Sequence, residues 1–251
     1  MPVILHVPHS SRVIPHNVRS DILLDDDALN DELNIMTDTA TDLIASSAIN
    51  QVAAKPYLFR NKLSRLVIDP ERFPDEREAM NEVGMGAVYL KTSDGDRLRA
   101  EDFDSRELLE NYFYPYAQAF EKLCKEILQI FGQVLIIDVH SYRTVQHLNS
   151  INHKLRRPPI CIGTDSFHTS SKLRESAIAA LSQIGEWVEN EPYAGTYVPL
   201  SFYQRDARVQ SVMLECRADQ FLDEKLQPHS GFERVVVALS RLIESQSTKS
   251  A

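Results

Sequence analysis

The residues Val134-Leu135-Ile136-Ile137 form an unbroken apolar run between Gly132 and Asp138. A strand that is apolar at every position has to be covered on both faces, which requires a sheet held between layers of helix. Shorter runs repeat the signal: Val3 to Val7, closed by Pro8, then Tyr57-Leu58-Phe59, Leu66-Val67-Ile68, Ile160 to Ile162 and Val209 to Cys216. Helical patterns lie between them. From Asp26 to about Ser47, Leu29, Leu33, Met36, Ala40, Leu43 and Ile44 recur at a helical period. Ser105 is placed to cap a helix running to about Phe131, which Pro115 should kink or split. Thr169 to Ile184 and Phe232 to Glu244 read as two more helices, and Ser245 to Ala251 as a frayed tail. Strands alternating with helices predict an α/β fold. Periodicity is lost between Pro70 and Asp104, a stretch containing Gly84 and Gly86. It is long for a connection, which predicts an active-site or lid-like insertion at about 70–104 within a single domain spanning 1–251.

At 251 residues, 43% of them apolar, the chain can bury one large core. Its net charge of −9 comes without any cluster of Lys and Arg, so no nucleic-acid partner is expected. Cys124, Cys161 and Cys216 stand far apart and read as buried, reduced thiols, which predicts a cytoplasmic protein. The first residues lack a basic leader pattern and no apolar run reaches membrane-spanning length, so no membrane partner is expected. A dinucleotide site is disfavoured by the absence of a glycine-rich strand–helix turn.

In α/β folds, ligands bind beyond the carboxyl ends of the strands. His9 follows the first strand in Pro8-His9-Ser10, and His140 follows the strongest in Asp138-Val139-His140-Ser141. Glu215 sits inside Met213-Leu214-Glu215-Cys216, and Asp69 to Arg72 follow Ile68. One histidine after a strand is usually an ordinary loop residue; four such ends facing one rim are a candidate site. Burying an unpaired Glu215 costs several kcal/mol, so it serves either chemistry or an ion pair with Arg217 or Arg205. Two histidines and a carboxylate make the common catalytic zinc set. Glu32 is the preferred third ligand, with Asp31 and Asp38 as alternatives that the residues leave open. Asp138 lies two before His140, on the same side of the strand, where it can orient a ligand. His6 is expected to be buried; His147, His153, His168 and His229 read as surface histidines and Trp187 as a packing anchor.

The same turns resemble motifs of the N-formylglutamate amidohydrolase family. Pro8-His9-Ser10 followed by Pro15 is similar to its PHSG…P opening. Glu32 to Asp42 resembles its acidic helix. Ser64 to Arg72 is similar to SRxxxDxNR, Asp138 to Arg143 to DxHSxR, Gly195-Thr196-Tyr197 to GGY, and Met213 to Arg217 to QLEIR. The matches keep their order and cover nearly the whole chain. The resemblance implies a fold like that of zinc carboxypeptidases, a twisted mixed sheet of about eight strands between helices. It also implies one Zn2+ on His9, Glu32 and His140, with Glu215 as general base. A small amide substrate bearing a carboxylate would then be bound among Arg65, Arg72, Arg143 and Tyr197, with Arg72 and Arg143 the better candidates for catalysis and Tyr142 and Tyr203 further possible donors. The arginines have an ordinary alternative in pairing with Asp69 or Asp138. Three departures stand out: Ser11 replaces a glycine, Glu71 an asparagine, and Leu200-Ser201 an Arg-His pair. They leave room for a peptide-like amide as substrate, or for a relative that binds without turnover.

Overall fold

Six strands make one sheet in the computed structural model, which describes residues 1–247: β1 (Val3–Val7), β2 (Tyr57–Arg60), β3 (Val134–Tyr142), β4 (Ile160–Gly163), β5 (Trp187–Glu189) and β6 (Val209–Arg217). Their order across the sheet is β2-β1-β3-β6-β4-β5. All neighbours are parallel except β4 and β6, which run antiparallel, so the α/β sheet is mixed. The apolar run at 134–137 begins β3, and the two longest strands, β3 and β6, pair along their whole length at the centre.

The helices are α1 (His16–Arg19), α2 (Asp26–Met36), α3 (Thr41–Gln51), α4 (Arg106–Leu108), α5 (Tyr114–Phe131), α6 (Ser171–Leu181) and α7 (Gly231–Ser247). They cover both faces of the sheet. On one face Leu5, Leu135, Ile137, Val212 and Leu214 pack against α3, α6 and α7. On the other, Ile4, Val134, Ile136 and Val209 pack against Phe120, Cys124, Ile127 and Leu128 of α5. Strand alternation places His6, Asp138, His140 and Glu215 on this second face, nearer the carboxyl ends. The covered face thus turns from apolar to ionisable along each strand.

Five expectations change. The sheet has six strands among the described residues, not about eight. Leu66-Val67-Ile68 is fully buried but forms no strand. Its backbone is satisfied locally: Val67 N–H donates to Ser64 O at 2.9 Å, Leu66 N–H to Ser64 Oγ at 3.1 Å, and the Leu66 carbonyl accepts from Arg99 Nη2 at 2.6 Å. Apolar burial alone does not tell a strand from such a turn. The helix expected over Asp26 to Ser47 breaks into α2 and α3 at Thr37-Asp38-Thr39-Ala40, where three poor helix formers precede Ala40 in the left-handed region at φ 65°. Near Pro115, which cannot donate a helical hydrogen bond, the chain makes a π-helical turn at Leu109–Phe113. Ser105 supplies no side-chain cap there; Arg106 N–H donates instead to Asp104 at 3.0 Å. α7 carries Ser245 to Ser247 as helix, and the rest of the expected tail lies outside the described residues.

The 70–104 segment has little regular structure, with one 3-10 helix at Ala79–Val83 and isolated bridges. It is nevertheless packed: Met85, Tyr89 and Leu98 join Leu29, Leu33, Met36 and Leu66 in a core of their own. No helix of the described residues is long and apolar enough to cross a membrane.

Candidate active site

His9 and His140 come together as their positions after β1 and within β3 require. Their Nδ1 atoms are 3.2 Å apart, and both rings are buried. The carboxylate that joins them is Asp38, whose Oδ2 lies 3.1 Å from His140 Nδ1 and 3.7 Å from His9 Nδ1. The break between α2 and α3 puts it there. Asp38 N–H donates to the His9 carbonyl at 3.0 Å, and Thr41 Oγ1 donates to the Asp38 carbonyl at 2.8 Å.

Glu32, the preferred third ligand from the sequence, is elsewhere. Its two oxygens accept from Ser93 N–H at 2.8 Å and Ser93 Oγ at 2.6 Å. It anchors the 92–93 turn to α2. A helix read as continuous from Asp26 to Ser47 does not bring Asp38 back toward His9, which is why the sequence favoured an acid that the structure places away from the two histidines. The other named alternative, Asp31, is exposed on α2.

The outer nitrogen of each histidine faces carboxylates. His9 Nε2–H donates to Asp69 Oδ1 at 2.9 Å. His140 Nε2 lies 3.1 Å from both Asp138 Oδ1 and Glu71 Oε2, aligned for a linear hydrogen bond to neither, so this is a charge contact. These neighbours hold the ring protons on Nε2 and turn both Nδ1 lone pairs inward, toward each other and toward Asp38. Three inward-facing acceptors repel unless a proton or a cation sits among them. Donors about 2.0–2.1 Å from a tetrahedral zinc stand about 3.3 Å from one another, close to the spacing found here. His9, Asp38 and His140 therefore fit a metal ion, and they form one of three candidate ligand groups among the described residues; the others share Glu71.

Carboxylates set the electrostatics. Burial and Arg65 lower the His9 pKa, but Asp69 and Asp38 raise it by more. Burial lowers that of His140 too, and Glu71 and Asp138 carry it well above the usual value. Burial pushes Asp38 up, yet His140 and His9 beside it, when protonated, hold it well below the ordinary carboxylate range. Asp69 is likewise kept ionised against its burial by Arg65 and His9. Glu215 behaves in the opposite way. Burial is its largest influence and pushes it up to about 8. It pairs in register with His140 across β3 and β6. Its Oε2 has no hydrogen-bond partner among the described residues. Arg217, offered above as an ordinary ion-pair partner, pairs instead with Asp219 at 2.7 Å.

These groups lie at the floor of a cleft of about 690 Å³, which Arg65, Arg72, Arg143 and Tyr197 also line. Arg65 donates to Asp69 at 2.7 Å and to Tyr89 at 3.0 Å. Arg72 Nε lies 3.5 Å from Asp69 without forming a hydrogen bond, and its Nη1 lies 3.7 Å from Glu78. Arg143 donates to the Asn34 carbonyl at 3.1 Å. Tyr197 packs its ring on His6 and Phe120, and its N–H donates to Asp138 at 3.3 Å. The Tyr142 hydroxyl is spent on the Pro158 carbonyl, and Tyr203 stacks on His168.

Several participants were not singled out by sequence reasoning. His6 was expected to be buried, and it is, but it also donates to Asp138 at 2.8 Å and meets Tyr116 Oη at 2.6 Å. The β1–β3 pairing His6↔Asp138 was the available signal, since both continue the face of Ile4 and Ile136. Glu71 stood in the Asp69 to Arg72 stretch, where it replaces the family's asparagine, but no role was read for it; Tyr89 comes from the aperiodic segment and gave no signal. His168, expected at the surface, is fully buried; it meets the Val209 carbonyl at 2.8 Å and accepts from Gln204 N–H at 2.8 Å. His147 lines the cleft, and burial lowers its pKa to about 4.

Residues 1–222 match the model of the family described as FGase, N-formylglutamate amidohydrolase. No curated protein sequence matches this one. Several solved structures resemble it. N-formylglutamate amidohydrolase from Ralstonia eutropha JMP134 superimposes with a TM-score of 0.77 at 18% identity, over 98% of this chain and 94% of that one. The gene product Atu2144 from Agrobacterium tumefaciens gives 0.70 at 20% identity, over 98% and 90%. At such identities the likeness establishes the fold.

Proposed function

Because this chain belongs to the N-formylglutamate amidohydrolase family, we propose that it is a zinc-dependent amidohydrolase that cleaves the amide of an N-acyl amino acid or a similar small carboxylated amide. The observation that carries the reading is one convergence: His9 Nδ1, His140 Nδ1 and Asp38 Oδ2 face a common point beside the buried, unpartnered Glu215. In this reading His9, Asp38 and His140 hold the ion, and Glu32 has a structural role.

When bound, zinc supplies Lewis acidity toward the scissile carbonyl and acidifies water. The chain's own groups do the rest. Asp69 fixes the His9 ring by a hydrogen bond at its outer nitrogen, and the charges of Asp138 and Glu71 face that of His140. Ionised Glu215 takes a proton from the attacking water and returns it at the leaving nitrogen, so that the amide C–N bond breaks to a carboxylate and an amine. Its burial strengthens it as a base. Arg72 and Arg143 stabilise the developing oxyanion and grip the substrate carboxylate, while Arg65 keeps Asp69 ionised.

The test is Glu215→Gln. The variant should retain its metal and lose at least about a hundredfold in turnover of N-acyl amino acids. Turnover like that of the unaltered protein would remove Glu215 from the mechanism.

A further inference from the structure

We propose that the substrate carries one carboxylate and a bulky apolar or aromatic group, rather than the two carboxylates of a glutamate derivative. This rests on the amidohydrolase reading. It begins from size: a cleft of about 690 Å³ is of the kind that encloses drug-sized ligands, and a formylated amino acid leaves most of it unfilled.

Charge points the same way. Seven carboxylates and three arginines line the cleft. Arg65 is committed to Asp69 and Tyr89. Arg72 is flanked by Asp69 and Glu78. One carboxylate can be held between Arg72 and Arg143, but a second meets an acidic lining with no further arginine to pair with. A desolvated anion without a partner costs several kcal/mol.

The remaining wall is apolar. Phe73 meets Tyr203 edge to face, with centroids 6.4 Å apart. Leu200 sits in a turn closed by Phe202 N–H and Tyr203 N–H on the Pro199 carbonyl, at 2.8 and 3.0 Å. Leu200 is 43% exposed, and Ile151 and Val145, which also line the cleft, are 55% and 83% exposed. Open apolar side chains at a cleft mouth gain by being covered. The covering group can belong to the acyl part or to the amino-acid side chain; the chemistry is the same.

The experiment is calorimetry on the Glu215→Gln protein in excess zinc, with N-formylglutamate, N-formylphenylalanine, N-benzoylglutamate and N-benzoylphenylalanine. Each phenylalanine ligand should bind about tenfold more tightly than the glutamate ligand with the same acyl group. Tighter binding of N-benzoylphenylalanine than of N-formylphenylalanine would show that the acyl side is covered as well. Leu200→Gln should reduce that preference by about threefold or more and leave N-formylglutamate affinity unchanged. Equal or tighter binding of N-formylglutamate overturns the proposal, and so does failure of all four to bind. Turnover of the same four by the unaltered protein judges the hydrolase reading separately. Apolar selectivity without turnover would keep the substrate class and sink the chemistry.

Discussion

Asp38 and Glu32 show how little separates an acid placed at the histidine pair from one held elsewhere. Both are buried carboxylates reached from α2, but one is claimed by two histidines and the other by both donors of Ser93. Asp38→Asn should therefore abolish metal retention, whereas Glu32→Gln should keep about one equivalent per chain; metal analysis of the two purified variants distinguishes them. Protons compete with the metal for the same Nδ1 lone pairs. The carboxylates around His9 and His140 raise both histidines above 6.5, so below that range metal has to displace protons, and affinity climbs as pH rises through the raised values. Zinc should bind about tenfold or more tightly at pH 8 than at pH 6, as measured by competition with a chelating indicator. Affinity that is flat or falls with pH would remove these histidines from the site. The histidines and Glu215 were legible in the sequence because each follows or interrupts an apolar strand. Asp38 was left open because its position depends on a helix break.

Turns that carry strand-like sequence depend on side chains for their backbone partners. Leu66-Val67-Ile68 is the clearest example. Arg99, itself fully buried, donates to the Leu66 and Tyr89 carbonyls and so ties the turn to the 70–104 segment. Arg99→Met keeps the buried hydrocarbon but leaves two carbonyls unpaired. It should cost about 2 kcal/mol or more in denaturant unfolding. An unchanged midpoint would mean that the turn holds by apolar packing alone. The same dependence explains what was legible among the elements. β1, β3, β4 and β6 declare themselves by largely apolar runs, a signal that Leu66-Val67-Ile68 also gives without forming a strand. β5 has three half-buried residues at an edge, too short for any period, and the 70–104 segment is fixed by tertiary contacts such as Tyr89 with Asp69 at 2.7 Å.

Across the whole molecule, the two faces of the sheet divide the work. One is apolar throughout and anchors α3, α6 and α7; the other is apolar only where α5 covers it and ionisable beyond. Cys124, Cys161 and Cys216 are all buried in this packing, and burial pushes the first two thiols up to about 12 and raises the third as well. None should react with an aromatic disulfide at pH 8 until the protein unfolds, and then all three should. A thiol that reacts at once would contradict the close cover of both faces. The α/β class and the rim of strand ends followed from sequence, because burial on both faces leaves few architectures. The cleft and its apolar wall did not, since they are assembled from loops far apart in the chain. The proposed chemistry needs the histidine–aspartate cluster at the floor of that cleft to hold a metal. The most direct measurement is turnover of an N-acyl amino acid by protein stripped with a chelator, before and after one equivalent of zinc is added. Turnover should be lost on stripping and restored by zinc in the unaltered protein, but not in a His9→Ala/His140→Ala variant. Full turnover in the stripped protein would contradict it.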